Sequence, residues 1–171
     1  MNKKIVVLMT TVGFVVLLDV VTKAYIASTM FLHESFTVIE GFFNITYIRN
    51  PGAAFGFLAG ASPGIRITFF LFVTIAVMVM ILYYIIKSDM VDLLETFSLS
   101  LILSGALGNM IDRVRFGEVI DFIDVYIESH HWPAFNVADS AISVGAVMIV
   151  LAMLKKKEQG DHSPSGKIKE G

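Results

Sequence analysis

Residues 105–140 read GALGNMIDRVRFGEVIDFIDVYIESHHWPAFNVADS. Apolar sequence flanks this stretch on both sides, yet inside it lie Asp112, Arg113, Arg115, Glu118, Asp121, Asp124, Glu128 and Asp139. A charged side chain at the centre of a membrane helix costs about 2.5–3.5 kcal/mol on insertion scales, so charge gathered beside a bilayer marks residues that something uses. One apolar run closes at Ile111 and the next opens at Val137. The stretch therefore reads as the connection between two spans, with its acids at the membrane boundary.

Working outward, the rest of the chain has the same character. It has 171 residues, is 56% hydrophobic and carries a net charge of -2, with a mean hydropathy of +0.75. Soluble domains of this length are not so apolar, whereas small multi-span membrane proteins are. The near-neutral charge argues against a nucleic-acid partner. The absence of cysteine removes disulfides, thiolate metal sites and cysteine nucleophiles together.

A span needs roughly 20 mostly apolar residues. Ile5–Ile26, Ile65–Ile86, Leu93–Ile111 and Val137–Leu154 meet or approach that length. They read as helices, because the bilayer core offers nothing to satisfy an open strand. The first also fits a cleavable signal peptide, with Lys3-Lys4 before the run Ile5–Leu18, though no A-x-A site follows at the right spacing. Lys3, Lys4, Lys87, Lys155, Lys156, Lys157, Lys167 and Lys169 fall on one side of these spans. That side should be cytoplasmic, with both termini inside and the segments 27–64 and 112–136 outside.

Phe36–Arg49, FTVIEGFFNITYIR, is β-branched, aromatic and punctuated by Gly41 and Asn44. It reads as strand–turn–strand, to which Phe116–Ile127 could add another strand. Ala53–Leu58 reads as a short helix in the interface, with Phe55 and Phe57 as anchors or a lid. Residues 155–171 read as a disordered cytoplasmic tail. The expected fold is thus an all-α integral membrane protein: four transmembrane helices in one unit, 1–154, with a small extracytoplasmic β-cradle and a short interfacial helix.

Asp121 and Asp139 are the leading candidates for chemistry. Two carboxyl groups that share a proton divide the work: one takes a proton from water while the other donates to a carbonyl. Asp139 also fits a plain helix start, since Asn136-Val137-Ala138-Asp139 puts Asn at the N-cap and an acid where the helix dipole favours it. That dipole would make Asp139 the charged member and Asp121 the holder of the proton. Asp121 also reads as a solvated loop carboxylate, and Asp124 is its rival; on a strand the two would face opposite ways. Asp19 and Lys23, at i, i+4, read as an ion pair on one helix face or as support for the site. Asn50-Pro51-Gly52 reads as a turn, although Asn50 could present its amide to a peptide. Gly105 and Gly108 suit close helix packing. Asn109, Asp112 and Arg113 could hold the carboxylates, Arg113 having the donor geometry for an acid. His33, His130, His131 and His162 form no H-E-x-x-H arrangement, and there is no G-x-S-x-G, which disfavours zinc and serine hydrolases.

These residues carry a resemblance. The chain resembles the lipoprotein signal peptidases, bacterial signal peptidase II. The resemblance rests on Asp19-x-x-Thr22-Lys23, Asn50-x-Gly52-x-Ala54-Phe55, Gly105-Ala106-x-Gly108-Asn109-x-x-Asp112-Arg113, Val119-x-Asp121-Phe122 and Phe135-Asn136-x-Ala138-Asp139, in that order. It implies an aspartyl endopeptidase of the cytoplasmic (inner) membrane that cleaves prolipoproteins on the amino side of a diacylglyceryl-modified cysteine. It implies a dyad of Asp121 and Asp139, with Asp19, Lys23, Asn50, Gly52, Asn109, Arg113 and Asn136 in support. It also implies no metal and no organic cofactor, inhibition by globomycin at the same site, contact with membrane lipid, and a retained first span. The chain is expected to act as a monomer. Two other readings stand beside this one. In a small transporter or proton channel the Asp/Arg cluster would form a relay. In a non-catalytic assembly factor the outer sheet would bind a partner by its edge.

Overall fold

The computed structural model describes residues 2–52, 61–87 and 91–161. Four of its helices are long and apolar enough to cross a membrane: α1 (Lys3–Thr29), α2 (Pro63–Lys87), α3 (Leu93–Phe116) and α4 (Val137–Asp161). Between them lie β1 (Ser35–Ile39), β2 (Phe43–Asn50), β3 (Val119–Ile127) and β4 (His130–His131). The strands form an antiparallel sheet in the order β1-β2-β3-β4.

The helices start and stop where local chemistry directs. Asn2 caps α1 by accepting from the Lys4 amide. Asp92 and Glu95 form a reciprocal capping box at the start of α3, satisfying two amides that have no partner within the helix. Gly117 ends α3 at φ 76°, with its N–H on the Arg113 carbonyl, a left-handed turn that suits glycine. The helices exceed the expected spans at most ends, and α4 continues past Leu154 to Asp161. The first part of the expected disordered tail, through Asp161, is therefore helical. Residues 162–171 lie outside the described residues, as does the expected interfacial helix at Ala53–Leu58 with Phe55 and Phe57.

Helix α3 is the most enclosed of the four and packs against α4, α1 and α2. Glycine permits the closest of these approaches. A Cβ on Gly105 would strike the Ala138 carbonyl of α4, and one on Gly145 would come within 2.6 Å of the Ser98 carbonyl. Packing by small residues is what holds helices together where lipid removes the hydrophobic drive. Helix α2 instead turns Phe72, Ile75, Val79, Met80 and Tyr83 outward, a surface suited to acyl chains. At the other end, Ile26, Tyr47, Ile120 and Phe122 form the apolar cluster that seats the sheet on α1. The sheet is thereby fixed to the helix ends rather than hanging from a loop.

Candidate active site

The start of β3 and the start of α4 meet at Asn136. Its side-chain nitrogen lies 2.7 Å from Asp121 Oδ1, 3.1 Å from the Ile120 carbonyl and 3.2 Å from Asn109 Oδ1. Its side-chain oxygen accepts from the Asp139 amide at 2.9 Å, while its own amide donates to Asp139 Oδ2 at 3.3 Å. Asn136 is thus the cap of α4 in a reciprocal box with Asp139. The same residue clasps Asp121. The remaining carboxylate oxygens are also held: Asn50 Nδ2 donates to Asp121 Oδ2 at 2.9 Å, and Asn109 Nδ2 donates to Asp139 Oδ1 at 2.7 Å.

The two acids differ in environment. Asp121 is 2% exposed, whereas Asp139 is half-buried. Burial pushes the Asp121 carboxyl up to about 7, and the nearby Asp139 charge pushes the same way against the hydrogen bonds from Asn50 and Asn136. Desolvation and a like charge both disfavour the ionised form. One group therefore retains its proton near neutrality beside a more accessible carboxylate, the arrangement that acid–base hydrolysis of an amide requires.

A buried ammonium underlies this pair. Lys23 Nζ reaches Asp19 Oδ2 at 2.7 Å, Asp112 Oδ2 at 3.1 Å and Asn109 Oδ1 at 3.1 Å. Two carboxylates pair with its charge and an amide oxygen accepts from it, as a buried charge needs. Asp19 Oδ1 accepts from the Ala138 amide at 2.9 Å, and Asp112 Oδ2 accepts from the Ile120 amide at 3.1 Å. Lys23 therefore ties α1 to α3, to the first turn of α4 and to the residue before Asp121. The Asp19–Lys23 pair is an ion pair on one helix face and a support of the site at once.

Asn50 likewise serves two purposes. Its side-chain oxygen accepts from the Gly52 amide at 2.8 Å, making the turn, and its nitrogen faces Asp121. Gly52 sits at φ 89°, and a Cβ there would run into the Phe70 ring. Asp124 is turned away from Asp121 and held by Asn44 at 2.8 Å and His131 Nδ1 at 2.8 Å. Arg113 departs from its expected pairing. Among the described residues it makes no ion pair; its guanidinium lies 5.0 Å over the Phe70 ring and donates to the Asn109 carbonyl at 3.5 Å. The guanidinium lies in the field of both Asp139 and Asp121. Phe70, the platform under Arg113 and Gly52, was not legible: within FFLF nothing in the sequence distinguishes it from lipid-facing neighbours.

Comparison with known proteins follows the same lines. A family model described as signal peptidase (SPase) II matches residues 11–155. The lipoprotein signal peptidase of Syntrophus aciditrophicus is 55% identical over 159 residues, covering 93% of this chain and 99% of the relative. That of Desulforapulum autotrophicum is 49% identical over 158 residues, 92% of this chain and 98% of the relative. A solved bacterial membrane enzyme superposes with a TM-score of 0.81 at 41% identity, covering 95% of this chain and 94% of its own. A second does so with a TM-score of 0.78 at 44% identity over 86% and 92%. These likenesses do not favour the transporter reading; the chain belongs to the signal peptidase II family and is a membrane protease of lipoprotein processing.

Proposed function

We propose that this protease is of the aspartic type, with Asp121 and Asp139 as its catalytic pair. Its substrates are prolipoproteins, cut on the amino side of the diacylglyceryl-modified cysteine. The observation that carries the proposal is the shared clasp of Asn136 on both acids, one buried and one open. In this reading the Asp139 carboxylate takes a proton from water, whose oxygen bonds the scissile carbonyl carbon while Asp121 protonates the carbonyl oxygen. Asp139 then returns its proton to the amide nitrogen, Asp121 recovers one from a hydroxyl, and the C–N bond breaks. The products are a new carboxyl end and the free amine of the modified cysteine.

The pair lies at the outer membrane face in this proposal, with both termini cytoplasmic, as the lysine asymmetry supports. α1 is retained, because Lys23 and Asp19 hold the site from below. Substrate acyl chains stay in the bilayer and bring the cleavage point to the helix ends. Globomycin would compete there, and the enzyme acts as a monomer.

The test is cleavage of a diacylglyceryl-cysteine prolipoprotein by the purified chain in detergent, with chelator present throughout. Wild type should cleave, and Asp121→Asn and Asp139→Asn should each be inactive while remaining folded. Cleavage surviving in both variants would remove the pair from the chemistry. Activity lost to chelator alone would overturn the aspartic assignment.

A further inference from the structure

Strand β2 leaves part of one edge unpaired, and that part lies beside Asp121. Arg49 sits opposite Ile120 in the β2–β3 ladder, between the pairs Ile48–Asp121 and Asn50–Val119. Ile120 does not bond back across the ladder. Its N–H donates to Asp112 Oδ2 at 3.1 Å, and its carbonyl accepts from Asn136 Nδ2 at 3.1 Å. In an antiparallel ladder, the two residues of such a non-bonded pair each turn N–H and C=O to the outer edge. Arg49 therefore presents both of its backbone groups away from β3.

Tyr47, two residues earlier, faces the same way and is satisfied there. Its N–H donates to the Glu34 carbonyl at 2.9 Å, and its carbonyl accepts from the His33 amide at 2.8 Å. The segment that supplies those partners stops short of Arg49. β1 pairs with β2 no further toward Arg49 than Ser35–Thr46, and His33 has φ 68°, a left-handed conformation that breaks extended backbone. Among the described residues, no donor or acceptor meets the Arg49 N–H or C=O. Backbone groups require partners, and an open strand edge is a template for another extended segment.

The site itself says which segment comes here. A protease must bring a peptide to its acids, and the residue after Arg49 is Asn50, which holds the Asp121 carboxylate. A strand added to β2 would run about 5 Å beyond it and about 10 Å from β3, a gap that about three extended residues span. Substrate acyl chains stay in the bilayer, so the part of the substrate that leads outward to the sheet is the chain after the cut. Strand addition takes its affinity from the main chain, whatever the side chains.

We propose that the substrate binds as an extra antiparallel strand on β2. Counting the modified cysteine as the first, its third or fourth residue exchanges both backbone hydrogen bonds with Arg49. This site rests on the prolipoprotein reading of the substrate and adds a contact that lies away from Asp121 and Asp139.

Steady-state cleavage of a synthetic prolipoprotein peptide carrying the diacylglyceryl-cysteine tests it, with one N-methyl group placed in turn on each residue around the cut. KM should rise about five- to tenfold when the third or fourth residue carries the methyl, since a hydrogen bond is lost, with kcat little changed. The residues on either side of that position should respond by roughly twofold or less, because their N–H groups point away from β2. Arg49→Pro removes the outward N–H and spares the ladder, as proline does on a strand edge. Its KM should exceed that of Arg49→Ala, which keeps the N–H, by about fivefold at an equal unfolding temperature. A flat N-methyl profile, or one whose maximum precedes the modified cysteine, would overturn the proposal, as would equal KM in two equally stable Arg49 variants. If Arg49→Pro melts below Arg49→Ala, the wild-type N-methyl profile decides by itself. Cleavage that survives Asp121→Asn and Asp139→Asn counts against the aspartic pair and leaves that profile readable, so the two proposals fail separately.

Discussion

At the scale of single residues, the proposed chemistry rests on Asp121 and Asn136. Because the Asp121 carboxyl is raised to about 7 by burial and by Asp139, activity that depends on its proton should fall as pH rises through about 7. A pH profile of kcat/KM checks this, and it reports the pair rather than either acid alone. The same shift has a consequence for stability. Below the ordinary value of 3.8 both folded and unfolded chains carry the proton. Between 3.8 and about 7 only the folded chain does. Stability should therefore decline across that window as pH rises and level off above it. Melting temperatures of wild type and Asp121→Asn, measured against pH, should converge at the acid end. Asn136→Ala should lower kcat roughly 10- to 100-fold, because it removes the side-chain hydrogen bond to the Asp121 carboxylate and the bond that the Asp139 amide donates. Loss of the α4 cap should cost about 1 kcal/mol as well. A variant that loses only stability would show that Asn136 caps without positioning.

At the scale of elements, α3 carries the burden. Its glycines let α4 approach closely enough for Ala138 and Asp139 to reach α1 and Asn109. Gly105→Val should prevent that approach, since the obstacle is the Ala138 backbone rather than a movable side chain. A lowered unfolding temperature and lost cleavage should appear together. Lys23→Met should be more damaging than its single site suggests. It leaves Asp19 and Asp112 buried without their cation, a change that costs about 3–5 kcal/mol when one partner of a buried pair is removed. Restored melting in the combined Asp19→Asn, Lys23→Met, Asp112→Asn variant, without restored activity, would separate charge burial from site geometry.

At the scale of the whole molecule, four span-length helices carry a small antiparallel sheet, and the orientation can be tested directly because the chain has no cysteine. Glu40→Cys should react with an impermeant maleimide from outside intact cells, and Lys155→Cys only after lysis; the reverse pattern would invert the topology. Much of this was legible beforehand. Apolar runs of span length specify helices, since the bilayer leaves the backbone no other partner, and the β-branched run before Arg49 announced its hairpin. Motif resemblance pointed to Asp121 and Asp139. Local pattern by itself could not choose Asp121 over Asp124, separate the two readings of Asn50 or Asp139, or detach Arg113 from an acid. It also could not find Phe70, or the open edge of β2 at Arg49. The sequence by itself determined which segments cross the membrane and where its charges gather, because hydrophobicity and helix length are properties of contiguous residues. Only the tertiary structure decided which charges face one another. Lys23, Asn109, Asp112, Asn136 and Asp139 come from three different helices and their connections, and their partners are set by how closely glycine lets those helices approach.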